Sequence, residues 1–166
     1  MVGNYGRLVT AIGAIVISAC AGVVQAEDAA EQVRRVSKEI NTAGVEYGKA
    51  CGIAMNAWSQ ENRDKARLRY VDCMLVLHKY TYTKPELKVD DSKEGRALEI
   101  AYTEWLDRQV ANMNGAGLEY IRILEDESLG FEQTKESIME LVKRQAESER
   151  PYNEKLGTAL KAYDAK

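Results

Sequence analysis

The sequence predicts an all-α protein, an antiparallel up-down-up-down four-helix bundle whose first two helices are strapped by a disulfide. Three observations predict it. Two prolines and one phenylalanine stand against many unbranched residues that lose little rotamer freedom in a helix. Apolar residues recur every third or fourth position through most of the chain beyond Glu27. Two cysteines, Cys51 and Cys73, each fall in the middle of an apolar stripe on either side of a polar turn. With 166 residues, 45% apolar and 30% charged, the chain can bury one core and has no room for a second of ordinary size.

Residues 1–26 read as a signal peptide and residues 27–166 as a single helical-bundle domain. The run Leu8 to Ala19 follows Arg7 and is shorter than the ~20 residues of a membrane-spanning helix. Val24-Gln25-Ala26 before Glu27 carries the small residues that signal peptidase requires at its cleavage site. Ile17-Ser18-Ala19-Cys20 is also an acceptable lipobox, so the alternative is a lipidated Cys20 that tethers the domain to a membrane. Both readings place the protein outside the cytoplasm, in the periplasm or as a membrane-anchored lipoprotein. In that compartment Cys51 and Cys73 are an expected pair.

The formal net charge is −3, and Arg7 is the one charged side chain before Glu27, so the mature domain would carry −4. That mildly acidic balance argues against a nucleic-acid partner, which needs a basic surface.

The first helix is expected from Asp28 to Trp58, opened by a capping box of Asp28 and Glu31. Val33, Val36, Ile40, Ala43, Tyr47, Cys51, Ala54 and Trp58 form its buried stripe. After the polar stretch Ser59 to Asp64, a second stripe follows with Ala66, Tyr70, Cys73 and Leu77. Residues facing each other across an antiparallel turn have numbers with a constant sum. Cys51 and Cys73 therefore centre on residue 62, inside that turn, and predict a disulfide worth ~3 kcal/mol. Gly44, Gly48 and Gly52 recur along one edge of the first helix at a cost of about 1 kcal/mol each relative to Ala. Close packing by the second helix, or a groove for a partner, would offset it.

Tyr80 to Asp90, with Pro85, reads as a linker. Asp91 and Glu94 open a third helix to about Ser128, with Leu98, Tyr102, Trp105, Leu106, Met113, Tyr120 and Leu124 inward, weakened at Asn114-Gly115-Ala116-Gly117 and stopped by Gly130. The last segment, Phe131 to Tyr163, keeps Ile138, Leu141, Val142, Tyr152, Leu156, Ala159, Leu160 and Tyr163 in phase across Pro151. One kinked helix or two collinear ones follow from that.

No catalytic, cofactor or metal-ligand set stands out. His78 is the sole histidine, which excludes the two Glu-x-x-His motifs of a di-iron bundle and means that a triad, a Cys-His pair or a histidine base would have to run through this one flank residue. Met74 and His78 lie one turn apart on one helix, and cannot ligate opposite faces of a haem between them. Met55, Met74, Met113 and Met139 read as core filler. The basic run Arg63, Lys65, Arg67, Arg69 and the acidic run Glu125, Asp126, Glu127 read as solvated faces. Leu68, Val71 and Leu75 lie opposite the Cys73 stripe, so the second helix is apolar on two sides and either exposes a patch or is covered by another element.

The function this points to is a non-enzymatic exported protein, without cofactor, that acts by binding another envelope protein as an adaptor, inhibitor, immunity protein or chaperone does. Leu68, Val71, Leu75, Gly44, Gly48 and Gly52 are its candidate interface. A haem-type bundle using His78 with Met74 or a residue from another helix is the alternative. An enzyme relying on carboxylates alone would leave no distinctive trace in a sequence this rich in Glu and Asp.

Overall fold

The structure, a computed structural model, describes residues 27–83 and 87–166. Among them all regular structure is helical: α1 (Ala29–Asn56), α2 (Gln60–Tyr82), α3 (Lys93–Asn112), a π-helical segment (Met113–Gly117), α4 (Leu118–Glu125) and α5 (Phe131–Asp164). Backbone angles stay right-handed helical from Asn112 through Leu118, so α3, the π segment and α4 form one rod. The molecule therefore has four rods, as the apolar periodicity predicts. The signal-peptide reading, Cys20 and Pro85 lie outside the described residues.

Each start has a local cause. The Asp28 carboxylate accepts from the Ala30 amide at 2.8 Å, and the Ser59 hydroxyl accepts from the Asn62 amide at 3.2 Å. Ser92, rather than Asp91, caps α3 by accepting from the Gly95 amide at 2.9 Å. Gly95 is needed there, since a Cβ would lie 2.4 Å from the Asp90 carbonyl oxygen. The third rod ends at Glu125, before the turn Asp126 to Leu129, and Gly130 is the N-cap of α5 instead of a helix stop. α5 runs through Pro151 as one helix.

Paired side chains give the directions of the rods. Glu104 meets Lys155, Asn112 meets Glu149 and Glu119 meets Arg144, so the third rod and α5 run antiparallel. Arg34 near the start of α1 pairs with Asp164 at the end of α5, and Arg67 near the start of α2 pairs with Glu125 at the end of α4. The core follows the predicted stripes, with Val33, Val36, Cys51, Ala66, Leu77, Leu98, Trp105, Leu124 and Leu141 all buried. Three expected core residues are not part of it: Trp58, Met139 and Val142 are exposed. Trp58 falls out because α1 stops at Asn56.

That early stop also overturns the disulfide. Cys51 and Cys73 are free, buried thiols. With α1 ending at Asn56 and Ser59 capping α2, the turn centres on Trp58 and not on residue 62. The facing residue for Cys51 is then near Lys65 or Ala66, and Cys73 lies some eight residues, or about 12 Å, further along α2. Each sulfur faces the core at a different level, so the two helices are held by packing without a covalent strap.

The glycine-weakened stretch becomes the π segment. Its carbonyls gain partners from two other rods: Tyr47 of α1 donates its hydroxyl to the Gly117 carbonyl at 2.8 Å, and Tyr70 of α2 donates to the Met113 carbonyl at 3.2 Å. A Cβ at Gly117 would sit 3.0 Å from Met113 Cε and 3.2 Å from Tyr70 Cε2, so the close approach of α2 favours glycine there.

Candidate interaction surface

Leu68, Val71 and Leu75 project from α2 into solvent with exposures of 58%, 45% and 62%. Among the described residues, no other element covers them. The reason lies in the placement of α2, whose inner side, Ala66, Cys73, Leu77 and Tyr80, is spent on the core. The outer stripe extends further than the sequence reading took it. His78 is half-buried with its ring 5.2 Å from that of Tyr82, and Tyr82 is 81% exposed. Positions 68, 71, 75, 78 and 82 alternate steps of three and four, the spacing of a coiled-coil seam. Asp64, also exposed, precedes Leu68 in the same register.

The glycine edge is open as well. A Cβ at Gly44, Gly48 or Gly52 would find nothing within 4 Å, so close packing by α2 does not explain these residues. Val45 and Ile53 beside them are 54% and 55% exposed. A cavity of about 520 Å³ at the foot of this edge is lined by Arg34, Ser37, Lys38, Asn41, Val45 and Leu160, between α1 and α5. The six candidate interface residues therefore occupy two separate surfaces, one on each helix of the hairpin.

Electrostatics around both surfaces is largely self-satisfied. Lys65 pairs with Glu61 at 2.6 Å, Arg69 with Asp72 at 2.8 Å, and Arg67 with both Asp64 and Glu125. Arg63 lies over the Trp58 ring, 5.4 Å from its centroid. The basic run and the acidic run thus meet each other across the end of the bundle. A second cavity, of about 460 Å³ between α1 and α2, is lined by Arg35, Lys38, Glu39, Glu46, Arg69 and Asp72. Here too the charges cancel: Arg35 with Glu27, Glu39 with Lys79 and Tyr80, Glu46 with Lys49. The Tyr80 hydrogen bond, followed by that of Lys79, holds the Glu39 carboxyl below its ordinary range. Of the charged side chains lining the two cavities, Lys38, which lines both, is the one without a carboxylate partner among the described residues.

The interior offers protonated groups rather than reactive ones. Burial pushes the Cys51 thiol up to about 12, although the Tyr47 hydroxyl opposes the shift, and pushes Cys73 up to about 11. A thiol that keeps its proton at neutral pH is a poor nucleophile and a poor metal ligand. Among the described residues, no three His, Cys, Asp or Glu side chains gather as metal ligands, and no helix is long and apolar enough to cross a membrane. Met74 packs against the core while His78 contacts Tyr82.

Compared with family models, curated proteins and solved structures, the chain matches none.

Proposed function

We propose that this protein is an exported, non-enzymatic helical domain that works by binding another envelope protein through its open helix faces. The observation that carries the reading is the outer stripe of α2. Three large aliphatic side chains in helical register stand about half exposed or more on a rod whose opposite side already fills the core. Isolated exposed leucines are ordinary on a soluble protein, but a seam in register is the surface that a partner helix covers. The open glycine edge of α1 supports the same reading, since three helix-weakening residues stand where nothing in the fold requires them. Export rests on the sequence reading of residues 1–26.

The test is capture from an envelope extract by wild type and by two single variants, Leu75→Glu and Gly48→Glu. Both positions are open, so both variants should keep the wild-type circular-dichroism spectrum and melt no lower than wild type. The expected outcome is a discrete partner retained by wild type and lost, at least tenfold, from one variant or both. Equal retention by all three proteins would remove these surfaces from the account.

A further inference from the structure

Met139 and Val142 belong to the apolar pattern of α5, yet they are 63% and 48% exposed. Five turns of α-helix take about 18 residues, so Val142 shares a face with Leu160 and Ala146 with Asp164. Leu160 lines the cavity between α5 and α1, and Asp164 pairs with Arg34 of α1. That face of α5 therefore looks toward α1, meets it at the C-terminal end of α5 and stands free at Val142 and Met139. The facing side of α1 follows by the same count. Ser37, Asn41 and Val45 line the cavity with Leu160, and Gly44, Gly48 and Gly52 lie about two turns beyond each of them in order. The glycine edge is thus the α1 wall of a seam that is closed at Leu160 and open toward the far turn. Gly157 adds to the opening from the α5 side, since a Cβ there would also meet nothing within 4 Å.

The two ends of this seam differ in chemistry. At the closed end the Ser37 hydroxyl oxygen is buried without a hydrogen-bond partner. Beside it the ammonium of Lys38 and the amide of Asn41 have no side-chain partner among the described residues. These are three donors within one turn of α1, all on the cavity of about 520 Å³. Beyond them the walls are Val45 and the glycines on one side and Val142 on the other, and Arg150 on the α5 rim is engaged with Glu154 at 3.9 Å. A ligand that matches has one anionic, accepting head and a long apolar tail.

We propose that the α1–α5 seam binds a long-chain carboxylate, its head held by Ser37, Lys38 and Asn41 and its chain laid along the glycine edge. From Asn41 to Gly52 the edge runs about 17 Å at 1.5 Å per residue, the span of an extended chain of about 14 carbons. The chain takes the apolar surface of Val45 and Val142 out of water, and the missing Cβ atoms let it lie against the α1 backbone. Lys38 supplies the charge and Ser37 and Asn41 the direction, since a carboxylate accepts from all three. Such a site leaves the α2 stripe free for an envelope protein, so the two readings stand or fall separately.

Calorimetric titration of the purified protein with tetradecanoate, kept below its micelle concentration, tests the site. One saturable site of micromolar affinity is expected, with octanoate at least tenfold weaker and tetradecyltrimethylammonium unbound. Gly48→Leu fills the trough and Lys38→Glu reverses the charge at the head, and each should weaken tetradecanoate at least tenfold. Lys143→Glu removes another exposed lysine without a carboxylate partner, next to Val142 at the far end, and should change affinity less than twofold. All three positions are exposed, and circular dichroism checks the fold of each variant. Absence of saturable binding would overturn the proposal, as would equal binding of the alkylammonium, indifference to Gly48→Leu, or a loss from Lys143→Glu as large as that from Lys38→Glu. Co-sedimentation with phosphatidylglycerol vesicles in place of a saturable tetradecanoate site would mean a charged face that meets a bilayer, and would overturn it too.

Discussion

At the scale of single residues, the glycines of α1 give the sharpest stability expectation. Gly44, Gly48 and Gly52 are helical and meet open space, so replacing any one by Ala removes conformational freedom from the unfolded chain without a clash. Each Ala variant should unfold with a stability raised by about 0.5–1 kcal/mol in chemical denaturation. A loss would mean that something packs on that edge. The cysteines give a second expectation. Mass spectrometry without reduction should find both thiols free, and a thiol reagent should label them only as fast as the domain opens. Their titration sets a pH dependence. The native thiols hold their protons up to about 11 and 12, whereas in the unfolded chain they ionise near 9. Above pH 9 the unfolded state therefore binds fewer protons, and stability falls as pH rises toward 11, with the contribution complete below 9. Replacing both residues by Ser should make that alkaline fall shallower without removing it, since burial also raises Tyr47, Tyr102 and Tyr120, while lowering stability at neutral pH, because a buried hydroxyl requires a partner where a thiol does not.

At the scale of elements, the π segment is held by contacts far apart in sequence. Tyr47 and Tyr70 reach it from two rods, and the Tyr47 hydroxyl is buried with the Gly117 carbonyl as its acceptor. Tyr47→Phe should cost about 1 kcal/mol by removing that buried hydrogen bond, and Tyr70→Phe less, since its bond is longer and partly exposed. Gly117→Ala should destabilise as well, in contrast to the α1 glycines, because its Cβ would press on Met113 and Tyr70. Thermal melts of the three variants separate these cases. The sequence made part of this legible. Asn114 to Gly117 marked the weak place in the third rod, and the capping residue Asp28 marked the first start. What it could not supply was the hydrogen-bonding mode of the weak stretch, which is set by tyrosines about 45 to 70 residues away in sequence. The hairpin register is the counterpart. Local polarity spread the turn over Ser59 to Asp64, and the cysteine symmetry then centred it on residue 62. The Ser59 cap instead starts α2 at once, and a shift of four residues in the turn centre becomes about 12 Å between the sulfurs.

At the scale of the whole molecule, the apolar periodicity determined four rods and nearly all of the core, since burying those stripes is what drives the fold. The surfaces were only half legible. The two-sided character of α2 can be read from Leu68, Val71 and Leu75, but whether another element covers them depends on where α5 packs, which periodicity does not encode. His78 and Tyr82 join that stripe only on a 3.5-residue repeat, from which the 3.6-residue helical period drifts over this length. Most of the basic side chains beside these surfaces are matched by carboxylates of the same chain. Binding through the α2 face should accordingly depend weakly on salt and strongly on apolar truncation. Isothermal titration of an identified partner at about 50 and 500 mM salt should differ in affinity by less than tenfold, whereas Leu75→Ala should cost about 1–2 kcal/mol.

The central claim is that the open helix faces are working surfaces. A photoreactive benzoylphenylalanine placed at position 75 in the living host, with position 48 as the second probe and Glu147 on the exposed side of α5 as the control, tests it most directly. The account predicts discrete crosslinked adducts from 75, from 48, or from both, and none from 147. No adduct from either probe, or the same adducts from all three positions, would contradict it.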